Sequence, residues 1–158
     1  MKELKVTVPH YKTLALRHVV VDYNGTLAED GELKEEAKLL LNDLVLHYEV
    51  HVITSDTFGS VKEQLDSFDV TIRVLESDDH TAEKASYINE LGSKHCAAVG
   101  NGNNDVQMLK KAELGIALIG DEGCSTQTLL NSDIICSSID DALKLLLSEK
   151  RLIATLRK

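Results

Sequence analysis

The chain reads as a three-layer α/β protein, with a mostly parallel central sheet and helices on both faces. Three observations predict this. Apolar runs of strand length alternate with stretches of helical period. The run Val19-Val20-Val21 is β-branched throughout, as in a strand buried on both faces. Three of the strands end in polar clusters, at Asp22, at Thr54-Ser55-Asp56 and at Gly100 to Asp105. In a parallel sheet these ends share one rim, where open α/β folds place their ligands.

Each element has a local reason. Leu4 to Val8 alternates apolar and polar residues, and Pro9-His10 breaks it before Leu14 to Val21 resumes. This predicts an edge hairpin, about residues 1–18, leading into the central strand. Asn24-Gly25 turns the chain after Asp22, and Glu29-Asp30-Gly31 turns it again. From Leu33 to about Tyr48, Ala37, Leu40, Leu41, Leu44 and Val45 recur at helical spacing. Val50 to Ile53 is a strand, and Asp56 or Thr57 can cap a helix bearing Val61, Leu65 and Phe68. Val70 to Leu75 is a strand, and a helix from about Thr81 to Leu91 stops at Gly92. Then follow a strand at Cys96 to Val99, a helix from Asp105 to about Ala112, a strand at Gly115 to Ile119 and a helix near Thr126 to Leu130. A strand at Ile134 to Cys136 and a helix from Ile139 to Leu147 complete the core, which runs from about 19 to 148. The tail, 149–158, fits a short helix or an added strand.

Composition narrows the class. The 158 residues suit one domain with a sizeable core, and 43% hydrophobic with 27% charged residues is ordinary for a globular chain. A net charge of −9 argues against nucleic acid or an anionic membrane as partner. No run approaches the roughly 18 apolar residues of a membrane span, and Met1-Lys2-Glu3-Leu4-Lys5 lacks a signal-peptide core. Cys96, Cys124 and Cys136 have no paired spacing and read as reduced core thiols of a cytoplasmic protein. The six histidines, at 10, 18, 47, 51, 80 and 95, show no ligand-like spacing and read as structural or surface groups.

Taken singly, the polar groups have ordinary readings too. Asp22 suits a strand end that caps a turn, Lys84 a solvated helix face, Thr54 or Asp105 a helix cap, and Gly100 and Gly102 a strand-to-helix loop. Taken in order they resemble the motifs of the haloacid dehalogenase (HAD) superfamily. Asp22-Tyr23-Asn24-Gly25-Thr26 is similar to D-x-D-x-T, Thr54 to the Ser/Thr of the second motif, Lys84 to the lysine of the third, and Gly100-Asn101-Gly102-Asn103-Asn104-Asp105 to G-D-x-x-x-D. Within the superfamily the likeness is to the phosphorylation domain of P-type ATPases, with D-K-T-G-T, K-x-x-x-V-x-x-L and G-D-G-x-N-D. Lys84, Ile88, Leu91, Gly100, Gly102, Asn104 and Asp105 stand in that register. The chain resembles the soluble P-type ATPase-like phosphatases of this Rossmann-like fold.

The resemblance implies a phosphohydrolase working through an aspartyl-phosphate on Asp22, with Asn24, Thr54 and Lys84 in the catalytic set. Tyr23, Gly25, Thr26, Ser55 and Asn104 are expected around the substrate. Mg2+ is expected on Asp22, the Asn24 carbonyl, Asn101 and Asp105. Two departures bear on rate. Asn24 stands where most of the family has an acid–base Asp, and a carboxamide cannot exchange that proton; Glu29, Asp30 or Glu32 are the candidate substitutes. Asn101 stands where the family has a metal-binding Asp, with loss of one negative charge. Slow turnover follows, and a second reading follows from it, a phosphate-binding or regulatory module with little turnover. Core elements fill the interval from Asp22 to Lys84, leaving no room for a cap domain. An uncapped site admits phosphorylated small molecules or macromolecules, and a second copy of the chain can close it.

Overall fold

The computed structural model describes residues 2–56 and 59–158. Its strands are β1 (Leu4–Thr7), β2 (Thr13–Leu16), β3 (His18–Asp22), β4 (Ala28–Glu29), β5 (Glu32–Leu33), β6 (Glu49–Thr54), β7 (Val70–Val74), β8 (Cys96–Gly100), β9 (Leu114–Leu118) and β10 (Ile134–Cys136). Its α-helices are α1 (Glu35–His47), α2 (Ser60–Leu65), α3 (His80–Leu91), α4 (Val106–Lys111), α5 (Thr126–Leu130), α6 (Ile139–Leu146) and α7 (Glu149–Leu156).

Among the described residues six strands form one sheet in the order β10-β9-β8-β3-β6-β7, every neighbouring pair parallel. The chain leaves β3, builds outward through β6 and β7, then returns to the other side of β3 for β8. The carboxyl ends of β3 and β8 therefore flank the topological switch point, where a crevice opens.

The period of two along each strand divides the core. Val19, Val21, Val50, Val52, Val99 and Ile116 pack on one face, under α1, α6 and α7. Val20, Ile53, Ala98 and Ala117 pack on the other, against Tyr87 and Ile88 of α3 and Met108 and Leu109 of α4. Three layers with helices on both faces result, as the alternation predicts.

The structure corrects some expectations and decides between the alternatives that others left open. β1 and β2 pair antiparallel in a separate two-stranded sheet and do not extend the main one. The expected strand from Leu14 to Val21 breaks at Arg17, whose N–H donates to the His95 carbonyl and whose carbonyl accepts from Glu49 N–H. Val6, Val8, Leu14 and Leu16 point instead into the first core. The tail is helix α7: the Ser148 hydroxyl caps it, accepting from Arg151 N–H at 3.3 Å, and Leu152 and Leu156 bury one stripe. Asp56 caps the start of α2, accepting from Ser60 and from Val61 N–H, whereas Thr57 lies outside the described residues. The cysteines are all free, and Cys96 and Cys136 are buried, but Cys124 is only half-buried, on the loop before α5. No helix among the described residues is long and apolar enough to cross a membrane.

Candidate active site

β3 delivers Asp22 to the rim, and the next six residues fold tightly back. Leu27 N–H donates to the Asp22 carbonyl, Ala28 N–H to Tyr23 and Gly25 N–H to Ala28. Gly25 has φ +78°, and a Cβ there would collide with the Glu122 carboxylate. The chain then forms a small flap from β4 and β5, turned at Asp30 and Gly31 with φ of 51° and 83°. Tyr23, fully buried, fastens the flap by donating its hydroxyl to the Gly31 carbonyl at 3.1 Å.

Lys84 arrives from the second turn of α3, its side chain 2% exposed. Its Nζ lies 3.0 Å from Asp22 Oδ1, 2.8 Å from Asp105 Oδ1 and 3.2 Å from Asn104 Oδ1. A buried ammonium needs partners of this kind, because removing it from water is costly unless it is paired and hydrogen-bonded. Burial works against the charged amine, but Asp22 and Asp105 outweigh it and hold Lys84 above its ordinary value. Asp105 is wholly buried, and its Oδ2 accepts from the N–H groups of Asn101 and Gly102 at 3.0 and 3.1 Å. Gly100 makes this approach possible, since a Cβ there would stand 2.5 Å from the Asp105 carboxylate. Burial, and then the charge of Asp105, push the Asp22 carboxyl up to about 7 against the pull of Lys84.

A cavity of about 220 Å³ opens above these groups. Asp22, Asn24, Thr54, Ser55, Lys84 and Asn104 line it, with Asn101 and Gly102 at one side. Thr54 Oγ1 accepts from Asp56 N–H at 3.0 Å, and among the described residues no acceptor takes its hydroxyl proton, so the group can donate into the cavity. Asn101 is tied to the loops around it. Its Nδ2 donates to the carbonyls of Gly25 and Gly123 at 3.2 and 3.3 Å, and its Oδ1 accepts from Thr26 at 3.3 Å.

Tyr23, Gly25 and Thr26 stand behind the cavity wall, in the loop that holds Asp22. None of the three lines this cavity, and their groups have partners within the fold: Tyr23 N–H donates to the Ile53 carbonyl, Gly25 N–H to that of Ala28 and the Thr26 hydroxyl to Asn101. The acids of the flap, Glu29, Asp30 and Glu32, are not among the lining residues. Three lining residues were not expected in the site from the sequence, Leu75, His80 and Glu122. Glu122 belongs to a polar strand end like the others, since Gly120-Asp121-Glu122-Gly123 follows β9 on the same rim. An ion pair between Lys34, just after the flap, and Asp121 ties that loop to the flap.

Apart from Lys84 and His80, the polar lining offers oxygen ligands, with the carboxylates of Asp22 and Glu122 in the cavity and that of Asp105 buried against the Lys84 ammonium. This hard, electron-rich set suits a divalent cation of the magnesium class.

A family model described as haloacid dehalogenase-like hydrolase matches residues 80–121, the stretch that carries Lys84 and the Gly100 to Asp105 loop. An uncharacterised protein of Methanocaldococcus jannaschii is 57% identical over 68 residues, 43% of this chain and 73% of that protein. The 3-deoxy-D-manno-octulosonate 8-phosphate phosphatase of Moraxella catarrhalis, solved with magnesium, phosphate and KDO, superposes with a TM-score of 0.71. It is 19% identical, over 88% of this chain and 90% of that one. The cobalt-bound deoxy-D-mannose-octulosonate 8-phosphate phosphatase of Haemophilus influenzae gives 0.70 at 12% identity, over 90% and 94%. The Yersinia pestis 3-deoxy-D-manno-octulosonate 8-phosphate phosphatase gives 0.68 at 11% identity, over 99% of each chain. At these identities the structural likeness establishes a shared fold.

Proposed function

We propose that this chain belongs to the haloacid dehalogenase superfamily and is a phosphohydrolase with Asp22 as nucleophile. One observation carries the reading: a buried lysine bridges the strand-end carboxylate Asp22 and the loop carboxylate Asp105 at the lip of a polar cavity. The Asp22 carboxylate attacks phosphorus, the phosphorus–oxygen bond of the ester breaks, and the leaving alcohol takes up a proton. Water then attacks the acyl phosphate and releases inorganic phosphate, so one hard displacement becomes two easier ones. Lys84 and the Thr54 hydroxyl are placed to meet the charge on the non-bridging oxygens, where phosphoryl transfer needs it met. Ser55 and Asn104 orient the substrate from the cavity wall.

Asp22, the Asn24 carbonyl, Asn101 and Asp105 are the residues to hold Mg2+, with Glu122 restoring the charge that Asn101 lacks. When bound, the ion neutralises phosphoryl charge and lowers the proton affinity of Asp22. The phosphatases superposed above include one solved with magnesium and phosphate, which agrees with this donor set and with a phosphorylated small molecule as substrate.

Asn24 faces the cavity without an exchangeable proton, so leaving-group protonation falls to water or to Glu122, and turnover is slow. This trait aligns the chain with P-type ATPase-like members, and the small β4–β5 flap in place of a cap domain leaves the site open. The same asparagine favours the second reading, a phosphate-binding module that seldom turns over.

Hydrolysis of an aryl phosphate with and without Mg2+ tests the proposal. Asp22→Asn is expected to lower turnover at least about 1,000-fold, and Asn24→Asp to raise it by about 100-fold. Activity that survives Asp22→Asn overturns the nucleophile. A metal-dependent burst of phosphate labelling followed by no turnover supports the binding module.

A further inference from the structure

The start of β3 carries a second cluster of metal-ligating side chains, at the opposite end of the strand from Asp22. Four residues at about 3.3 Å each place the two roughly 13 Å apart. β3 and β6 are paired with His18 opposite Glu49 and Val20 opposite His51. The period of two then puts His18, Glu49 and His51 on one face of the sheet. One donor atom from each lies within 4.8 Å of the others. His18 Nδ1 is 3.0 Å from His51 Nε2 and 3.4 Å from Glu49 Oε2.

These separations match a coordination sphere. Ligand atoms held 2.0–2.1 Å from a tetrahedral zinc ion are about 3.3 Å from one another. The far nitrogen of the buried ring is also engaged, with His51 Nδ1 2.7 Å from the Tyr87 hydroxyl. Donation of the Nδ1 proton to that oxygen leaves the Nε2 lone pair facing His18 and Glu49. Such a partner on the remote nitrogen is the usual companion of a ligating histidine. The side chains of His18 and Glu49 are 15% and 64% exposed, which gives an ion a path from solvent. Of the neighbouring cations, Arg17 is occupied by Glu3 at 2.7 Å, and His95 Nδ1 is bound to the Ala15 carbonyl.

The geometry points to a second metal site at His18, Glu49 and His51, for one divalent cation of the zinc class with water in the remaining position. Two imidazoles and a carboxylate select Zn2+, Co2+ or Ni2+ over Mg2+, which prefers oxygen alone. The proton on His18 Nδ1, which bridges the two rings without metal, passes through solvent to its Nε2 as the ion binds, with no change in the charge of the ring. The ion would staple the starts of the two strands whose other ends carry Asp22 and Thr54.

Chelator-treated full-length protein titrated with Co2+ under excess Mg2+ tests this. The expected result is one equivalent bound, with the visible absorption of a tetrahedral nitrogen–oxygen site, and the same result for Asp22→Asn. His18→Ala, at a partly exposed position, is expected to lose the band while keeping its far-UV spectrum and its aryl phosphatase activity. Tyr87→Phe is expected to weaken binding about 10- to 100-fold. Zinc is expected to raise the melting temperature of the wild type and leave that of His18→Ala unchanged. Absence of a stoichiometric band in wild type, an unaltered band in His18→Ala, or its loss in Asp22→Asn would each overturn the assignment.

Discussion

At its carboxyl end β3 presents Asp22 to Lys84 and Asp105; at its amino end it presents His18 to His51 and Glu49. Both clusters join β3 to a neighbouring part of the fold, and both place titratable groups in or near the interior. The carboxyl end sets an ammonium between two carboxylates, and there burial and the charge of Asp105 raise Asp22 to about 7 against the pull of Lys84. The amino end sheds charge, since burial drives His51 down to about 4. The contrast teaches that desolvation by itself does not decide protonation. The number and sign of nearby partners does, and the rim with surplus carboxylate is the one equipped to act on an anion through a bound cation.

The largest way to break this contrast is to remove the balancing charge. Lys84→Met leaves Asp22 and Asp105 facing each other in a buried site. It should destabilise the fold by about 3–5 kcal/mol in urea unfolding, and bring aryl phosphate turnover to background in parallel. Gly100→Ala acts on the same end through packing. The added methyl displaces Asp105 from the loop N–H groups, with an expected cost of about 1–3 kcal/mol in the same assay.

The smallest effect sharpens the comparison, through pH. Asp22, raised from 3.8 to about 7, favours the folded state most below about pH 4 and loses that contribution as pH rises to 7. His51, lowered from 6.5 to about 4, contributes fully above about pH 6.5 and loses that contribution as pH falls to 4. The two ends therefore oppose each other between pH 4 and 6.5. In metal-free buffer Asp22→Asn should steepen the loss of stability on acidification, and His51→Phe should flatten or reverse it. Denaturant midpoints at pH 4.5, 5.5 and 6.5 read both slopes.

Much of the fold was legible because local chemistry and tertiary structure agree. Val19 to Val21 is buried on both faces, Ala37, Leu41 and Leu44 mark the inner side of α1, and Gly92 ends α3. The meeting of Asp22, Lys84 and Asp105 followed from motif order. What stayed hidden depends on partners remote in sequence. The His18–Glu49–His51 cluster exists only because two strands pair in one register, and 31 residues separate Leu33 of the flap from Gln64, which accepts its N–H. Glu122 stood in a strand-end loop without a motif to mark it. Arg17 looks like an ordinary strand residue until its backbone is seen bonded to His95 and Glu49. Tyr23 and Thr26 sit in a motif but face inward, which no spacing in the sequence reveals.

The placement of β3 between β6 and β8 has a consequence for synthesis. The strand leaves the ribosome before β8 does, and its pairing with β8 waits for residues 96–99. Until then one flank of an all-valine segment offers free backbone groups to any passing extended peptide. The nascent chain is thus most prone to mispairing during the interval in which α1, β6 and α3 are being made, and co-translational holdases have their clearest target there.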